Sequence, residues 1–275
     1  MASTICARTP NRQEIYRYDG TPHAWTRIKQ VETGQIFGGR FGLVHTDVNT
    51  GELWWWRKQH GLMFNAWHSI GGPGATFAVT ADSVYGLTPE RNAVWRYNGP
   101  ASPTGAPGSN WTQIGGPAGW LFGGTFGLFA TNPTDGNIFR YLGTPHSWEF
   151  VGGPGASFAV TGESIYGLGN ERNVWRYDGS GSTWTQVVGP AAELYSGEWG
   201  LLATSPVNGN VFRYLVSPHQ WEQIGGPGAM FAVTRDTVFG LTPDRGAVFR
   251  YNGTGMDWTQ VGGPAESIYA FGEQD

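Results

Sequence analysis

The segment IGGPGATFAVTADSVYGLTPERNAVWRYNG, residues 70–99, decides the fold because the chain contains it three times. It returns as VGGPGASFAVTGESIYGLGNERNVWRYDG at 151–179 and as IGGPGAMFAVTRDTVFGLTPDRGAVFRYNG at 224–253. We name these units type A. A second version, type B, occupies 114–148 and 187–221, and it aligns with type A without a gap from Gly71/Gly115 to Tyr97/Tyr141. Self-similarity at a fixed period indicates a repeat architecture.

A tryptophan closes every unit, and the tryptophan spacing counts the repeats. The spacings are 42, 44, 37, 36, 37 and 37 residues. The closing residues are Trp25, Trp67, Trp111, Trp148, Trp184, Trp221 and Trp258. The 17 residues after Trp258 begin a unit and the 25 residues through Trp25 complete one, so the chain holds seven units, one of them split between 259–275 and 1–25. A linear solenoid has no reason to start and stop inside a repeat, so the split indicates a closed ring.

Each unit reads as four short strands joined by turns. Within 114–152 we place strands over GWLFG, GLFATNP, NIFRYLG and SWEFVGG, with glycine, proline, asparagine and aspartate in the turns. Four-stranded sheets repeated around an axis form a β-propeller. We therefore predict an all-β fold in which residues 1–275 form one seven-bladed β-propeller of four-stranded blades. The N- and C-terminal strands pair in one blade, with 267–271 innermost and the other three strands within 4–28.

The composition agrees with many short strands and excludes several partners. Glycine is abundant (44 residues), aromatic residues make up 15% of the chain and charged residues only 14%. The net charge of −4 and the lack of a basic run argue against nucleic acid. Cys6 is the single cysteine, so we expect no internal disulfide. No 18-residue apolar run or apolar leader occurs, so we expect no membrane insertion, and a cytoplasmic or non-classically secreted protein.

The repeated motifs resemble a known family. The W-T-Q-I/V-G-G-P joint, F-A-V-T and the aromatic-Arg-Tyr run, repeated at about 37 residues along the whole chain, resemble tectonin-type β-propeller lectins. The resemblance implies a sugar-binding propeller with several sites, in a family associated with innate defence and the recognition of microbial glycans. Some tectonin-like domains serve instead as protein-interaction modules, so the resemblance implies the fold more strongly than the ligand.

The third strand of the units carries an aromatic-Arg-aromatic triplet. Alternation along a strand places both rings on one blade face and the arginine on the other. Two interpretations remain open: the guanidinium pairs with an acid or carbonyl between blades, or it donates hydrogen bonds to a ligand wedged there. The candidate ligand-binding arginines are Arg96, Arg140, Arg176, Arg213 and Arg250. We expect the closing tryptophans to be structural and to fill the widening gap between the outer strands.

The turn between the first and second strands distinguishes the two types. Type A has an acid followed by a hydroxyl, at Asp82, Glu163 and Asp236, whereas type B has an aromatic ring, at Phe41, Phe126 and Trp199. The turn between the third and fourth strands lies at the same end and carries His23, His146 and His219. A carboxylate, a ring and an imidazole suit a neutral sugar, but turn chemistry and packing explain them equally well. Glycine-rich joints at the other end let backbone amides approach a ligand.

The run GELWWWRK, residues 51–58, is the third strand of the second unit. Trp54 and Trp56 occupy the ordinary aromatic positions, so only Trp55 is anomalous, because it replaces the arginine. The types follow one another around the ring as B-B-A-B-A-B-A. We predict that Trp55 marks a degenerate or differently selective site in the blade that flanks the B–B junction.

No signature of catalysis or of metal binding occurs in the sequence. We expect no enzymatic activity and no cofactor, and the three histidines that follow prolines lie in different units, so they cannot converge on one metal ion. Our first hypothesis is a multivalent lectin that recognises glycans on microbial or other foreign cell surfaces. The alternative is a protein-interaction scaffold that does not bind sugar. The oligomeric state is left open.

Overall fold

The computed structural model describes residues 3–57, 66–99 and 110–273, and these residues form a seven-bladed β-propeller. Twenty-eight strands make seven four-stranded antiparallel sheets. The described residues contain no helix, and so none that is long and apolar enough to cross a bilayer. The predicted fold class is confirmed.

The four strands of a blade are hydrogen-bonded in chain order, and the first strand lies at the axis. The strands of blades 1 to 3 are β28 (Ser267–Gly272), β1 (Ser3–Arg8), β2 (Ile15–Tyr18), β3 (Trp25–Lys29); β4 (Thr33–Gly39), β5 (Gly42–Asp47), β6 (Leu53–Arg57), β7 (Ala66–Gly71); β8 (Thr76–Val79), β9 (Val84–Leu87), β10 (Val94–Tyr97) and β11 (Trp111–Gly115). Those of blades 4 to 7 are β12 (Leu121–Gly124), β13 (Gly127–Thr131), β14 (Ile138–Tyr141), β15 (Trp148–Gly152); β16 (Ser157–Val160), β17 (Ile165–Leu168), β18 (Asn173–Tyr177), β19 (Trp184–Pro190); β20 (Leu194–Gly197), β21 (Gly200–Thr204), β22 (Asn210–Tyr214), β23 (Trp221–Pro227); β24 (Met230–Val233), β25 (Val238–Leu241), β26 (Val248–Tyr251) and β27 (Trp258–Gly262).

Blade 1 closes the ring by joining the two ends of the chain. Strand β28 pairs with β1 in antiparallel register from Ser3↔Gly272 to Arg8↔Ser267. The first strand of each blade contacts the first strand of the next, and this circle returns to β28. The circle of blades is therefore complete, and its closure depends on pairing between residues far apart in sequence.

The innermost strands approach so closely that side chains have no room at certain seam positions. A Cβ atom on Gly124 of β12 would lie 2.5 Å from the carbonyl oxygen of Val160 in the next blade. Gly39 of β4 meets Val79 of blade 3 in the same way. Glycine ends the first strands of type B blades because the neighbouring backbone occupies the space a Cβ would need.

Each closing tryptophan lies at the start of the fourth strand, as its first residue or, at Trp67, its second, and holds its blade to the preceding one. In every blade the indole Nε1–H donates a hydrogen bond to a backbone carbonyl in the fourth strand of the previous blade. The bonds are Trp25 to Val261 (2.8 Å), Trp67 to Ile28 (2.7 Å), Trp111 to Ile70 (2.5 Å), Trp148 to Ile114 (2.9 Å), Trp184 to Val151 (2.7 Å), Trp221 to Val187 (3.0 Å) and Trp258 to Ile224 (2.6 Å). These hydrogen bonds, together with the packing of the rings, give the closing tryptophans a structural role between blades.

The first glycine of the Gly-Gly-Pro joint belongs to the same contact. The indole of Trp148 lies where a Cβ on Gly115 would come within 3.0 Å of its Nε1. The glycine lets the large ring settle on the neighbouring backbone, so the joint and the tryptophan recur together in the sequence.

We expect Trp148→Phe to destabilise the protein by about 1 kcal/mol, because it removes the indole donor and keeps most of the ring packing. Urea denaturation measures the change. Trp120→Phe is the matched control, since Trp120 is 41% exposed and makes no such bond; its change should stay within about 0.5 kcal/mol. Equal losses in the two variants would contradict a specific role for the indole bond.

Candidate functional site

The disc has two faces that differ in chemistry. We define the upper face by the turns between the first and second and between the third and fourth strands of each blade. The lower face carries the turns between the second and third strands and the joints from one blade to the next. The acid, ring and histidine positions singled out in the sequence lie on the upper face, whereas the Gly-Gly-Pro joints lie on the lower one.

On the upper face, each type A blade turns its arginine towards the next blade. In blade 3, Arg96 Nη2 lies 3.1 Å from Asp82 Oδ2, and the side chains are 36% and 58% exposed. Beside them the ring of Tyr85 meets that of Tyr141 from blade 4, with centroids 6.1 Å apart. Burial, reinforced by the charge of Asp82, raises the pKa of Tyr85 to about 12. The junction thus presents an exposed acid–arginine pair above buried rings.

The other two type A blades keep the ring contact and vary the ion pair. Tyr166 meets Tyr214 with centroids 5.8 Å apart, and Phe239 meets Tyr18 at 5.6 Å. Arg176 lies 3.6 Å from Asp178 instead of pairing with the turn acid Glu163. Arg250 is exposed, like Asp236, and its guanidinium has no hydrogen bond or ion pair within the described part of the chain. The acids and arginines of the three type A blades therefore stand in three different arrangements, and their predicted contacts with a ligand stay a prediction.

The hydroxyl that follows each of these acids is structural. Ser83 Oγ, Ser164 Oγ and Thr237 Oγ1 are buried and donate to the carbonyls that end the third strands of their own blades. These bonds hold the second strand to the third at the upper face, so the acid–hydroxyl pair combines turn chemistry with an exposed carboxylate.

In blades 4 and 6, both of type B, the turn ring covers the arginine. The Arg213 guanidinium lies 3.7 Å from the ring centroid of Trp199, and that of Arg140 lies 4.3 Å from Phe126. The backbone N–H of Trp199 also donates to the carbonyl of Thr234 in the next blade (3.0 Å). These rings and guanidinium groups stabilise one another by cation–π contact. A ligand would find them half-buried and already paired.

Trp55 performs the same packing role as those arginines. Its ring stacks on Phe41 with centroids 4.9 Å apart and planes at 19°. The Arg57 guanidinium lies 4.8 Å from the Trp55 ring. In blade 2 the positive charge is therefore two residues further along the third strand than in the blades that have arginine at the position of Trp55. Trp55 is only 2% exposed and contacts Tyr97 of blade 3. It therefore faces the junction of blades 2 and 3, not the B–B junction of blades 1 and 2.

The three histidines serve the blade junctions through their backbone. His23, His146 and His219 have positive φ angles of 62–63°. Their N–H groups donate to Val261, Ile114 and Val187, which are the carbonyls that also accept the indole bonds of those blades. The imidazoles are exposed, and among the described residues no hydrogen bond or ring contact joins them to Phe41, Phe126 or Trp199. The structure does not assemble these histidines and rings into one site.

The lower face contains a set of equivalent pockets that the sequence analysis did not single out. They lie between blades 2 and 3, 3 and 4, and 6 and 7, with volumes of about 520, 200 and 200 Å³. Each is lined by the Gly-Gly-Pro joint, the first ring of the aromatic-Arg-aromatic triplet and the closing tryptophan. Those rings are Trp95 and Trp111, Phe139 and Trp148, and Phe249 and Trp258. The sequence feature that could have predicted these pockets is the joint recurrence of the aromatic-Arg-aromatic triplet and the Gly-Gly-Pro joint.

The first ring of the triplet therefore lines a cleft instead of the inter-blade core. Tyr97 is 3% exposed, whereas Trp95 in the same strand is half-buried. Both rings face the preceding blade, in agreement with the alternation along the strand. The residue paired with Trp95 is Gly86, and the rings of Phe77 and Trp111 lie over it. The second-strand residue at this position is small, and both it and Trp95 border the pocket.

Blade 2 has a histidine at that small-residue position. His45, paired with Trp54, is 1% exposed and packs against Trp67 with ring centroids 4.5 Å apart. Its Nδ1 lies 3.0 Å from the carbonyl of Thr46. Burial, which favours the neutral ring, lowers the pKa of His45 to about 4. His45 and His68 have no third partner for a metal among the described side chains, and His60 lies outside the described residues.

Comparisons with known proteins support the fold alone. No family model and no curated protein sequence matches the chain. A functionally unknown protein from Desulfotomaculum acetoxidans has a similar structure, with a TM-score of 0.57, 11% identity and coverage of 99% of this chain and 100% of that one. The CRINKLY WD40 ectodomain of the Arabidopsis thaliana receptor kinase ACR4 has a TM-score of 0.54 and 12% identity, with coverage of 96% of this chain and 98% of that one. Apo AztD from Citrobacter koseri has a TM-score of 0.51 and 11% identity, with coverage of 99% of each chain.

We expect Trp55→Ala to destabilise the protein by about 3–5 kcal/mol, because it empties a buried site. Trp55→Arg should cost only about 1–2 kcal/mol, since a guanidinium can stack on Phe41 as Arg213 does on Trp199. Denaturant unfolding compares the two variants, with Arg213→Trp as the reciprocal change in blade 6. An equal loss for Ala and Arg at position 55 would show that the two flat groups are not equivalent.

We expect His45 to make stability depend on pH. Its folded pKa of about 4 lies below the unfolded value of 6.5, so the unfolded chain takes up the proton first as the pH falls. The contribution of neutral His45 to the free energy of unfolding is therefore fully present above pH 6.5. It is lost as the pH falls through 4, and the loss amounts to about 3 kcal/mol at most.

Urea unfolding at pH 7 and pH 4.5 measures this dependence. His45→Ala, which copies Ala130 of blade 4, should gain stability relative to the wild type at the lower pH. The exposed His146→Ala should show no such relative gain, and a pH-independent difference for His45→Ala would contradict the assignment.

Proposed function

We propose that this protein is a multivalent lectin that binds glycans through the lower-face pockets between its blades. The observation that carries the proposal is the recurrence of one pocket at three junctions, each time with a half-buried ring, the closing tryptophan and a glycine backbone. A single-partner surface has no reason to repeat around a ring. The resemblance to tectonin-type lectins, which suggests microbial or other foreign cell surfaces as targets, supports the same reading.

The pocket chemistry suits a sugar ring. The apolar C–H face of a pyranose can lie on Phe139 or Phe249 and exclude water there. A Cβ on Gly116 or Gly226 would meet no atom within 4 Å, so the backbone at these joints is open to a ligand. Backbone amides and carbonyls can then satisfy hydroxyl groups that lose water on binding.

Multivalency compensates for the weakness of each site. A shallow site of about 200 Å³ holds a monosaccharide with a free energy of roughly −4 kcal/mol, equivalent to a millimolar Kd. Rigid blades keep the pockets at constant separations, so a glycan-coated surface can occupy several of them at once. Effective concentration then raises the avidity without any new contact. Binding of this kind requires no catalytic group, and we propose a non-enzymatic role.

The exposed acids and arginines of the upper face stay a predicted second contact region. Asp82 with Arg96, for example, could hydrogen-bond hydroxyl groups at the junction of blades 3 and 4. The turn rings are less suited to this role, because each is stacked on its own arginine or on Trp55. Variants on the two faces therefore distinguish where sugar binds.

We expect a glycan array and a cell agglutination assay to give sugar-inhibitable signals. The double variant Phe139→Ala with Phe249→Ala should weaken binding at least about tenfold, since two stacking surfaces are lost. Phe126→Ala on the upper face is the matched control and should keep most of the activity.

Two results would reject this proposal. Blank arrays together with no agglutination at high protein concentration would remove the lectin function. Capture of one stoichiometric protein partner, insensitive to free sugars, would instead favour the interaction scaffold.

A further inference from the structure

At the junction of blades 1 and 2, a lysine of the protein itself lies over the two rings that line the lower-face pockets at other junctions. Lys29, the last residue of β3, extends its ammonium group over two indole rings of blade 2. Its Nζ lies 5.2 Å from the ring centroid of Trp54 and 5.4 Å from that of Trp67. Both distances are within the range of a cation–π contact. The protein thus shows how this type of pocket accommodates a cation.

The junction of blades 2 and 3 has the same pair of rings without the lysine. Trp95 and Trp111 occupy the positions of Trp54 and Trp67, and the Trp111 indole makes the same kind of bond to the preceding blade. Gly71 stands where blade 1 has Lys29, because Gly71 pairs with Leu53 as Lys29 pairs with Ile15. The Trp111 indole lies directly over Gly71, and a cavity of about 520 Å³ lined by both tryptophans and by Gly71 lies at this junction.

A carboxylate with no cationic partner lines this cavity. Glu14 and Glu52 are equivalent residues, each directly before the third strand of its blade. Glu14 is neutralised by Arg27, whose Nη1 lies 2.9 Å from its Oε1. Ser69 takes the position of Arg27 in blade 2, and the Glu52 carboxylate accepts a hydrogen bond from that neutral hydroxyl. The Glu52 charge is therefore left uncompensated within the described residues.

Only the first two blades place an acid at this position. The other five have a neutral residue there: Ala93, Asn137, Asn173, Asn210 and Ala247. In the pockets between blades 3 and 4 and between blades 6 and 7, the first ring is phenylalanine, which binds cations more weakly than tryptophan does. Two indoles, a carboxylate and an open cavity occur together between blades 2 and 3.

We propose that the pocket between blades 2 and 3 binds the primary or methylated ammonium group of a small organic cation. The cation lies against Trp95 and Trp111, as Lys29 lies against Trp54 and Trp67, and Glu52 supplies the counter-charge. This site goes beyond the proposed sugar binding and does not require it, because ring faces and a carboxylate recognise the charge whatever the rest of the ligand is.

The experiment compares choline with its neutral isostere 3,3-dimethylbutan-1-ol on the full chain, and follows the tryptophan indole N–H resonances by NMR. Choline should bind saturably in the millimolar range and shift the signals assigned to Trp95 and Trp111. The neutral isostere should bind at least about fivefold more weakly. Equal binding of the two compounds would reduce the site to an apolar pocket and overturn the proposal.

Three variants test the parts of the site. Glu52→Gln should weaken choline binding about fivefold, and Glu14→Gln is the matched control that should leave it unchanged. Lys29→Gly should open a second, weaker site that shifts Trp54 and Trp67. If Glu52→Gln alters the fold, Trp95→Leu supplies a second test, with loss of choline binding expected. Unchanged choline affinity in both variants would overturn the proposal, and a blank glycan array would leave it intact.

Discussion

The hydrogen bond from the indole of each closing tryptophan to the preceding blade is the interaction on which this propeller depends. It joins a large apolar ring, which fills the outer gap between two twisted sheets, to a backbone carbonyl of the neighbouring fourth strand. The contact needs a glycine under the ring, as at Gly115. The tryptophan of one blade and the Gly-Gly-Pro joint that follows the preceding blade therefore form a single contact between successive blades.

The alternation of types A and B changes what the rest of each junction can do. On the upper face, type A leaves an acid and an arginine near solvent, whereas type B stacks a ring on the guanidinium. Blade 2 preserves that stack with an indole at Trp55 and places the charge on Arg57. The packing requirement is for a flat partner, and arginine and tryptophan both meet it.

On the lower face, the junctions of blades 1 and 2 and of blades 2 and 3 differ at two aligned positions. Gly86 and Gly71 lie beneath the rings of Phe77 and Trp111 and border the cavity between blades 2 and 3, whereas the aligned His45 and Lys29 pack against the tryptophans of blade 2. The filled junction stabilises the ring with buried side chains and contacts of its own. Its open neighbour keeps the same rings accessible to a ligand. The two junctions thus share one framework and differ at two aligned side chains.

The sequence by itself determined the number of blades, the split blade and the strands, because these follow from the repeat period and the alternation within it. It also determined that the closing tryptophans are structural. Only the tertiary structure decided which side chains meet across a junction, since such contacts join residues about 40 positions apart and depend on rotamers and on the neighbouring blade. For that reason the stack at Trp55, the burial of His45 and the insertion of Lys29 between two indoles could not be derived from any one repeat.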